Sequence, residues 1–232
     1  MNNKIHLFHG SNKIIKQPFY GGGKPYNDYG SGFYCTEVPD LARECAVSKN
    51  RNGFVNEYVI GTNGLSVLNL NSDEYTILNW LSILICNRKF DIQSDFGKEA
   101  REYIISTFLP NYESYDIIIG YRADDSYFSF AQDFLNNAIS LKTLSKAMRL
   151  GNLGEQIVLK SEKSFSEICF VGADPVNSSE WYPKKENRDS IARRHYYDLR
   201  NEKWKRGDLY IMQLLDEDIK ADDERIRLHT TE

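Results

Sequence analysis

The sequence predicts an α+β fold, with strands near both ends of the core and helices between them. Three patterns lead to this prediction. Residues 54–61 alternate in polarity with the period of a strand, whereas from Glu74 onward apolar residues recur at spacings of three and four, which is typical of a helix. Farther along, residues 181–206 are highly charged and have the pattern of a long amphipathic helix. We therefore expect a core domain over residues 1–175 and a helical extension over 176–232, packed on the core or part of the same domain.

The N-terminal elements begin with a short apolar run, Ile5 to Phe8, which predicts a strand. A loop rich in Gly, Pro, Tyr and Asn follows from Asn12 to Asp28, of a kind that can close over a ligand or serve as a plain connection. Asp40 is the predicted N-cap of a helix over residues 41–49, because its carboxylate can accept hydrogen bonds from free N–H groups of the first turn. The other strands predicted here cover residues 32–36, 54–61 and 65–70.

The middle of the chain is predicted to be mainly helical. One helix ends before Pro110, which restricts the residue preceding it, and Ser140 is the predicted cap of another helix that Gly151 closes. The predicted helices cover residues 74–87, 97–108, 126–138 and 141–150, and the predicted strands cover 115–120, 154–161 and 164–171. A short element over 207–212 and a charged tail over 216–232 follow the long amphipathic helix.

The composition is that of an ordinary soluble globular protein. The 232 residues are 41% hydrophobic and 27% charged, and the formal net charge of −4 provides no broad polybasic field. Four widely spaced cysteines without a C-x-x-C pair predict reduced thiols and no metal site. The N-terminus has no signal-peptide pattern, and the longest apolar stretch, residues 77–86, is too short to span a bilayer. A cytoplasmic protein without membrane contact is the expectation.

Two glycine-containing segments at strand ends predict a ligand site. The first strand ends in His9-Gly10-Ser11, and residues 30–36 read Gly-Ser-Gly-Phe-Tyr-Cys-Thr. Glycine lets the backbone approach a ligand closely, and the aromatic pair Phe33-Tyr34 can supply a stacking face. We therefore expect one site built from two strand ends.

Together with a third segment, these two resemble the signatures of the ADP-ribosyltransferase superfamily, on its poly(ADP-ribose) polymerase and diphtheria-toxin side, the His-Tyr-Glu type. The signatures of that family are a strand ending in H-G-S or H-G-T, then G-x-G-I/F-Y-x-T/A, then a strand carrying a glutamate, as in E-Y-I-V-Y. Here Leu7 to Ser11, Tyr29 to Thr36 and Glu155 to Leu159 follow in the same order.

The chain also resembles, more closely, a bacterial family long catalogued as a domain of unknown function and later grouped with these transferases. The similar segments are Asp116 to Asp125, Gln156 to Lys163, Arg188 to Tyr197 and Gly207 to Met212. The likeness covers most of the chain. It implies an ADP-ribosyltransferase-like split β-sheet core with inserted helices and a C-terminal helical extension.

The resemblance also implies roles for the two N-terminal segments in binding NAD as cosubstrate. His9 would hydrogen-bond a ribose hydroxyl of the adenosine half, Ser11 would support the ribose, and Gly10 would offer its backbone N–H and C=O to the nicotinamide amide. Tyr34 would stack on the nicotinamide ring. The implied NAD-binding residues are His9, Gly10, Ser11, Gly32, Phe33 and Tyr34.

The resemblance leaves the third catalytic position open between Glu155 and Gln156. The polymerase signature places it at Glu155, whereas the bacterial family has its recurring residue at Gln156, and adjacent strand residues face opposite ways. A carboxylate is the better electrostatic choice for a cation-like ribose, although an amide can still fix a hydroxyl. The catalytic candidates are thus His9, Tyr34, Glu155 and Gln156. Where the polymerases place a second nicotinamide-stacking aromatic, this chain has Cys45.

Two further segments carry alternatives. Asp124 and Asp125 are expected to form a helix N-cap, with a part in shaping the acceptor site as the minority alternative. The basic segment over residues 184–206 is expected to be a solvated helix face, or, with its interleaved aromatic residues, a contact for RNA or DNA. Those aromatic residues are Trp181, Tyr182, Tyr196, Tyr197 and Trp204.

The function that the resemblance implies is mono-ADP-ribosyl transfer, a pentosyl transfer from NAD to a macromolecular acceptor, protein or nucleic acid. Proteins of this likeness commonly resemble toxins or phage-defence effectors, so a neutralising antitoxin protein is an implied partner. The alternatives are an NAD glycohydrolase, in which water is the acceptor, and a non-catalytic module that binds NAD or ADP-ribose. No metal is expected.

Overall fold

The computed structural model describes residues 4–123, 125–150, 154–202 and 205–230, with the backbone alone for residues 125–127. The fold is mixed α and β, with two open sheets. It divides into two compact units. The first unit contains both sheets and comprises residues 4–69, 111–122 and 154–190 of the described chain, and the second unit takes the remaining described residues.

The strands form a three-stranded and a four-stranded sheet within the first unit. The order β1-β3-β7 is antiparallel throughout, and in the order β2-β6-β5-β4 only β4 and β5 are parallel. The strands are β1 (Lys4–Ser11), β2 (Phe33–Cys35), β3 (Gly53–Gly61), β4 (Val67–Asn69), β5 (Ile117–Tyr121), β6 (Glu155–Leu159) and β7 (Ile168–Val176).

The core of the first unit lies between the two sheets. Leu7, Tyr58 and Ile60 from the first sheet pack against residues of the second, and each of the three is completely buried. The partners from the second sheet are Cys35, Ile117, Ile157 and Leu159. This arrangement explains why β5 and β6 read as nearly continuous apolar runs.

The two sheets are joined by a bridge between Phe8 of β1 and Thr36, directly after β2. The backbone N–H of Phe8 donates to the carbonyl oxygen of Thr36 at 2.8 Å, and the N–H of Thr36 donates back at 3.0 Å. The ladder does not extend to Gly10 and Tyr34. The strands therefore separate at this point, and the predicted site residues lie at the opening.

The helices of the first unit are short apart from the one that leaves it. The helix α1 (Pro39–Ala46) packs on β1 and β3, while α6 (Glu162–Glu167) and a 3₁₀ turn, Tyr112–Ser114, precede β7 and β5. The second unit is helical and contains α2 (Ile77–Asn87), α3 (Asp95–Phe108), α4 (Asp125–Leu135), α5 (Leu141–Ala147), α8 (Ile211–Asp216) and α9 (Glu224–Thr230). Helix α7 (Ser178–Arg200) contains the residue at which the first unit ends.

Three sequence predictions about elements were wrong. Helix α1 begins at Pro39 rather than after Asp40, because proline has the fixed φ of a first helical residue and lacks the N–H that would stay unbonded there. Residues 164–171 were expected as one strand, but α6 occupies their first half, since Ser161 and Ser164 form a reciprocal capping box. The charged tail contains α9, which is held by the completely buried Ile226.

Candidate functional site

A cavity of about 190 Å³ lies where β1 and β2 separate, beside the start of β6 and one face of α1. It is within the first unit. Its lining includes four predicted catalytic residues, His9, Tyr34, Glu155 and Gln156, from three separate parts of the chain. The other lining residues are Phe8, Gly10, Cys35, Thr36, Leu41, Ala42, Cys45 and Arg122.

His9 is held in one tautomer by the backbone of β2. Its Nδ1 lies 2.7 Å from the carbonyl oxygen of Tyr34, and because a carbonyl can only accept, Nδ1 carries the proton. Burial lowers the pKa of His9 below its usual 6.5, and the hydrogen bond to Tyr34 only partly offsets this effect. The imidazole is thus neutral at pH 7, which makes Nε2 a hydrogen-bond acceptor.

The ring of Phe33 packs against one face of the His9 imidazole. The two rings stack with centroids 4.5 Å apart and an interplanar angle of 29°. Phe33 itself packs into the core between the sheets and is not part of the cavity lining. Its place is therefore beside the site, where it orients His9.

The hydroxyl of Tyr34 is tied to the loop that precedes β2. It donates to the carbonyl oxygen of Gly30 at 2.6 Å and accepts from the N–H of Tyr29 at 3.0 Å. Tyr29 is completely buried, and its own hydroxyl donates to the carbonyl oxygen of Tyr121 at 2.6 Å. These bonds connect the end of β5, the segment that contains Tyr29 and Gly30, and the Tyr34 side chain. The Tyr34 ring therefore has a fixed position at the cavity.

Lys160 anchors the same loop to β6. Its ammonium group donates to the carbonyl oxygens of Tyr29 at 2.5 Å and Ser31 at 2.7 Å. Burial lowers the pKa of Lys160, and the nearby carboxylate of Glu113 opposes that shift. The strand that presents Glu155 and Gln156 is thereby coupled to the loop that positions Tyr34.

Gly10 is required by the packing of α1. A Cβ added at this position would lie 2.6 Å from the backbone nitrogen of Ala46 and 2.9 Å from Cβ of Cys45, with the carbonyl oxygen of Ala42 closer still. Backbone groups alternate sides along a strand, so the N–H and C=O of Gly10 point the same way as those of Phe8, toward β2. Because the ladder stops at Phe8, these two groups face the opening.

Glu155 and Gln156 both line the cavity from the first two positions of β6. Glu155 is exposed, whereas Gln156 is partly buried. The side-chain oxygen Oε1 of Gln156 is removed from solvent and has no hydrogen-bond partner among the described residues. An acceptor buried without a partner costs roughly 1–3 kcal/mol, which is the feature expected of a group that a ligand satisfies.

The structure adds Arg122, which sequence reasoning did not single out. It follows β5, whose last residues Gly120 and Tyr121 pair with Gln156 and Glu155. This register brings Arg122 to the cavity, because Arg122 follows Tyr121 and therefore lies beside the start of β6. The signal in the sequence was weak, since it depends on which strands pair.

Other predicted site residues lie elsewhere. Ser11 ends β1 outside the cavity lining, and its hydroxyl accepts from the N–H of Lys13 at 3.2 Å. Gly32 also lies outside the lining, where an added Cβ would meet Cγ1 of Val158 at 2.6 Å. Asp124 lies outside the described residues, and Asp125 begins α4 with its side chain outside the description.

Three of the five aromatic residues of the basic C-terminal segment, Trp181, Tyr182 and Tyr196, pack against described neighbours, whereas Tyr197 is exposed. The indole of Trp181 packs against α1 and lies beneath the charged ends of Arg43, at 5.3 Å, and Lys184, at 3.9 Å. Tyr196 stacks on Phe130 with centroids 3.7 Å apart. Trp204 lies outside the described residues. The packed rings are therefore not available to stack on bases.

Neither a metal centre nor a membrane span is found in the described parts of the chain. No group of three or more His, Cys, Asp or Glu side chains in residues 4–123, 125–150, 154–202 and 205–230 is arranged to hold a metal ion. No helix within those ranges is long and apolar enough to cross a membrane.

Comparison with known proteins identifies a family and little else. No curated protein and no solved structure matches the chain. The profile of one family, described as "Protein of unknown function (DUF3990)", matches residues 5–170. That span includes every residue that lines the cavity and covers well over half of the chain. The chain belongs to the DUF3990 family of proteins of unknown function.

Proposed function

We propose that this protein is an NAD-dependent mono-ADP-ribosyltransferase that cleaves the nicotinamide–ribose bond and transfers ADP-ribose to a macromolecule. The observation that carries the proposal is the convergence of His9, Tyr34, Glu155 and Gln156 on one cavity. These residues come from three signature segments that are distant in sequence. A chance likeness in three short motifs gives no reason for all three to meet at one opening.

The cavity residues fit the chemical groups of the nicotinamide riboside half of NAD. The Tyr34 ring supplies a stacking face, and the backbone of Gly10 offers a donor and an acceptor that match a carboxamide. Oε1 of Gln156 has no partner among the described residues and suits a ribose hydroxyl. Beyond the nicotinamide riboside, Arg122 brings a guanidinium, which suits the adjoining diphosphate of NAD.

His9 acts as an acceptor in this proposal. The neutral ring, with its proton on Nδ1, can accept a hydrogen bond from a ribose hydroxyl through Nε2. Protonation would remove that acceptor. Phe33 and the backbone of Tyr34 hold the ring in the orientation that this contact needs.

In this proposal, Glu155 and Gln156 have different roles at the ribose that carries the nicotinamide. As the glycosidic bond breaks, nicotinamide leaves with the bonding electron pair, and positive charge develops on the ribose. The carboxylate of Glu155 stabilises that charge, and Gln156 fixes a hydroxyl through its buried oxygen. The acceptor nucleophile then bonds to the ribose carbon and loses its proton. Since both residues line the cavity at the start of β6, they need not exclude one another.

The test is release of nicotinamide from NAD by the wild-type chain and by Glu155→Ala and Gln156→Ala. Loss of the carboxylate should lower turnover by about 10²–10³-fold, the usual cost of removing one electrostatic stabiliser. Glu167→Ala is the matched control, because Glu167 is an exposed glutamate that lies outside the cavity lining. Full activity in Glu155→Ala would refute the catalytic role of Glu155. If the wild-type chain released no nicotinamide from NAD, the proposed enzymatic activity itself would be refuted.

The fate of the ADP-ribose distinguishes a transferase from an NAD glycohydrolase. Labelled NAD is incubated with separate protein, RNA and DNA pools, and the label is followed into each pool. Label on a macromolecule supports the transferase. Free ADP-ribose with every pool unlabelled would replace the proposal with NAD hydrolysis, and binding without turnover would leave an NAD-binding module.

The biological role that we propose is that of a bacterial toxin or defence effector, working in the cytoplasm and neutralised by an antitoxin protein. Induced expression of the wild-type chain in a bacterium should arrest growth. Expression of Glu155→Ala at the same level should not. Equal growth of the two strains would contradict the toxin role without bearing on NAD turnover in vitro.

A further inference from the structure

The segment Asn12–Asn27, between β1 and β2, presents three aromatic rings to solvent. We call it the aromatic loop. Phe19 is 72% exposed, Tyr26 is 62% exposed and Tyr20 is 53% exposed. Exposed rings this close together in sequence make the loop a candidate for a binding surface.

The same loop is basic within an acidic protein. It carries Lys13, Lys16 and Lys24, all of them exposed, and contains no Asp or Glu, whereas the whole chain has a formal net charge of −4. A surface with positive charge between aromatic rings is complementary to a ligand with negative charge between flat apolar groups. Single-stranded nucleic acid has that alternation of phosphates and bases.

Buried side chains hold the N-terminal part of the aromatic loop to the core. The amide of Asn56 is completely buried, and it accepts from the N–H of Ile15 at 2.8 Å and donates to the carbonyl oxygen of Lys13 at 3.3 Å. The hydroxyl of Tyr58, also on β3, donates to the carbonyl oxygen of Ile15 at 2.5 Å. Core residues thus fix this part of the loop.

The C-terminal part is fixed as well. The N–H of Gly30 donates to the carbonyl oxygen of Asn27 at 3.0 Å, and Lys160 holds the next carbonyls. The ring of Tyr20 makes an edge contact with Phe165, with centroids 5.9 Å apart. Both ends of the aromatic loop are therefore held in place, which reduces the entropy lost when the loop binds a ligand.

We propose that the aromatic loop binds single-stranded nucleic acid. Bases stack on Phe19 and Tyr26, and the three lysines contact phosphates. The loop begins directly after His9-Gly10-Ser11 and ends before Tyr34, so both of its ends are joined to segments that contribute to the cavity lining. Describing that strand as the ADP-ribose acceptor rests on the proposed function, whereas its binding does not.

The test is fluorescence anisotropy of labelled twelve-nucleotide RNA and DNA of mixed sequence, each single-stranded, with the full chain and no NAD. We expect single strands to bind at least tenfold more tightly than the duplex of the same sequence, because a duplex hides the base faces. If all three lysines contact phosphates, log affinity should fall with log salt with a slope of about −2. Equal affinity for the single strand, the duplex and polyglutamate would overturn the proposal, because the loop would then attract anions without recognising bases. Absence of binding to all three would overturn it as well.

Substitutions separate stacking from charge. Phe19→Ala and Tyr26→Ala should each weaken binding by about tenfold, since stacking on one ring contributes that order of affinity. Changing Lys13, Lys16 and Lys24 together to Gln should bring the salt slope close to zero. The matched control changes three other exposed lysines, Lys49, Lys142 and Lys146, to Gln and should keep both affinity and slope.

Nicotinamide release distinguishes the two proposals. The loop variants should release nicotinamide from NAD as the wild type does, because none of the changed residues lines the cavity. Wild-type affinity in Phe19→Ala and Tyr26→Ala would overturn the nucleic-acid site while leaving the enzyme intact. Oligonucleotide binding by a chain that does not turn over NAD would keep the site and overturn the proposed function.

Discussion

Replacing Gly10 with alanine should destabilise the protein through a clash between β1 and α1. The new Cβ would lie 2.6 Å from the nitrogen of Ala46 and 2.9 Å from Cβ of Cys45, closer than such atoms approach in folded proteins. Two of the three nearest atoms are backbone, so a rotamer change cannot relieve the overlap, and α1 has to shift. Overpacking costs about 1–3 kcal/mol, and we expect about 3 kcal/mol here. For a chain of this length, that corresponds to a decrease in Tm of roughly 6–12 °C.

Gly172→Ala is the matched control for this measurement. Gly172 also lies in a strand of the three-stranded sheet, but an added Cβ would have nothing within 4 Å. Its unfolding free energy in urea should stay within about 0.5 kcal/mol of wild type, as is usual for open surface sites. If Gly10→Ala were as stable as Gly172→Ala, the close packing of α1 on β1 would be refuted.

Three other substitutions test single features of the first unit. Gln156→Leu removes a buried oxygen that has no hydrogen-bond partner in the described part of the chain, so urea denaturation should show equal stability or a gain of about 1 kcal/mol while nicotinamide release falls. A marked loss of stability would assign Gln156 a structural role. Arg188→Met should cost about 3–5 kcal/mol in the same assay, because it breaks the 2.7 Å ion pair with the buried Glu44; adding Glu44→Gln should recover part of that loss, and no recovery would contradict the pairing. The pKa of His9 is lower in the folded chain than in the unfolded chain, so the unfolded chain binds a proton at this imidazole more readily. The contribution of neutral His9 to stability is therefore full above pH 6.5 and is lost as the pH falls through the folded pKa. The stability of His9→Gln should therefore decrease less between pH 6.5 and about 5 than that of the wild type, and equal decreases would refute this effect.

The local parts of the fold could be predicted from the sequence. Alternation predicted β3, the spacing of apolar residues predicted α2, and the glycine turn predicted β6. These signals depend on neighbours within a few residues. Helix α6 was missed because it is only six residues long. The spacing between Phe165 and the next core-facing residues, Ile168 and Phe170, does not distinguish a helix from a strand over so short a stretch.

The site could be predicted only in part. Motifs located His9, Tyr34 and the pair at the start of β6, because each is a short pattern at a strand end. Arg122 could not be found in this way, since its place depends on β5 pairing with β6. Nor could the sequence show that Gly10 is required by α1, because that contact joins residues separated by the whole aromatic loop.

Protection of Cys45 by NAD tests most directly whether the cavity binds the dinucleotide. Cys45 is exposed and lines the cavity, and Cys169 is exposed in β7, outside the cavity lining, so each protein molecule carries its own control. The rate of alkylation at each thiol is measured by peptide mass spectrometry with and without NAD. We predict that NAD slows the alkylation of Cys45 several-fold and leaves that of Cys169 unchanged. Equal rates at Cys45 with and without saturating NAD would contradict the account.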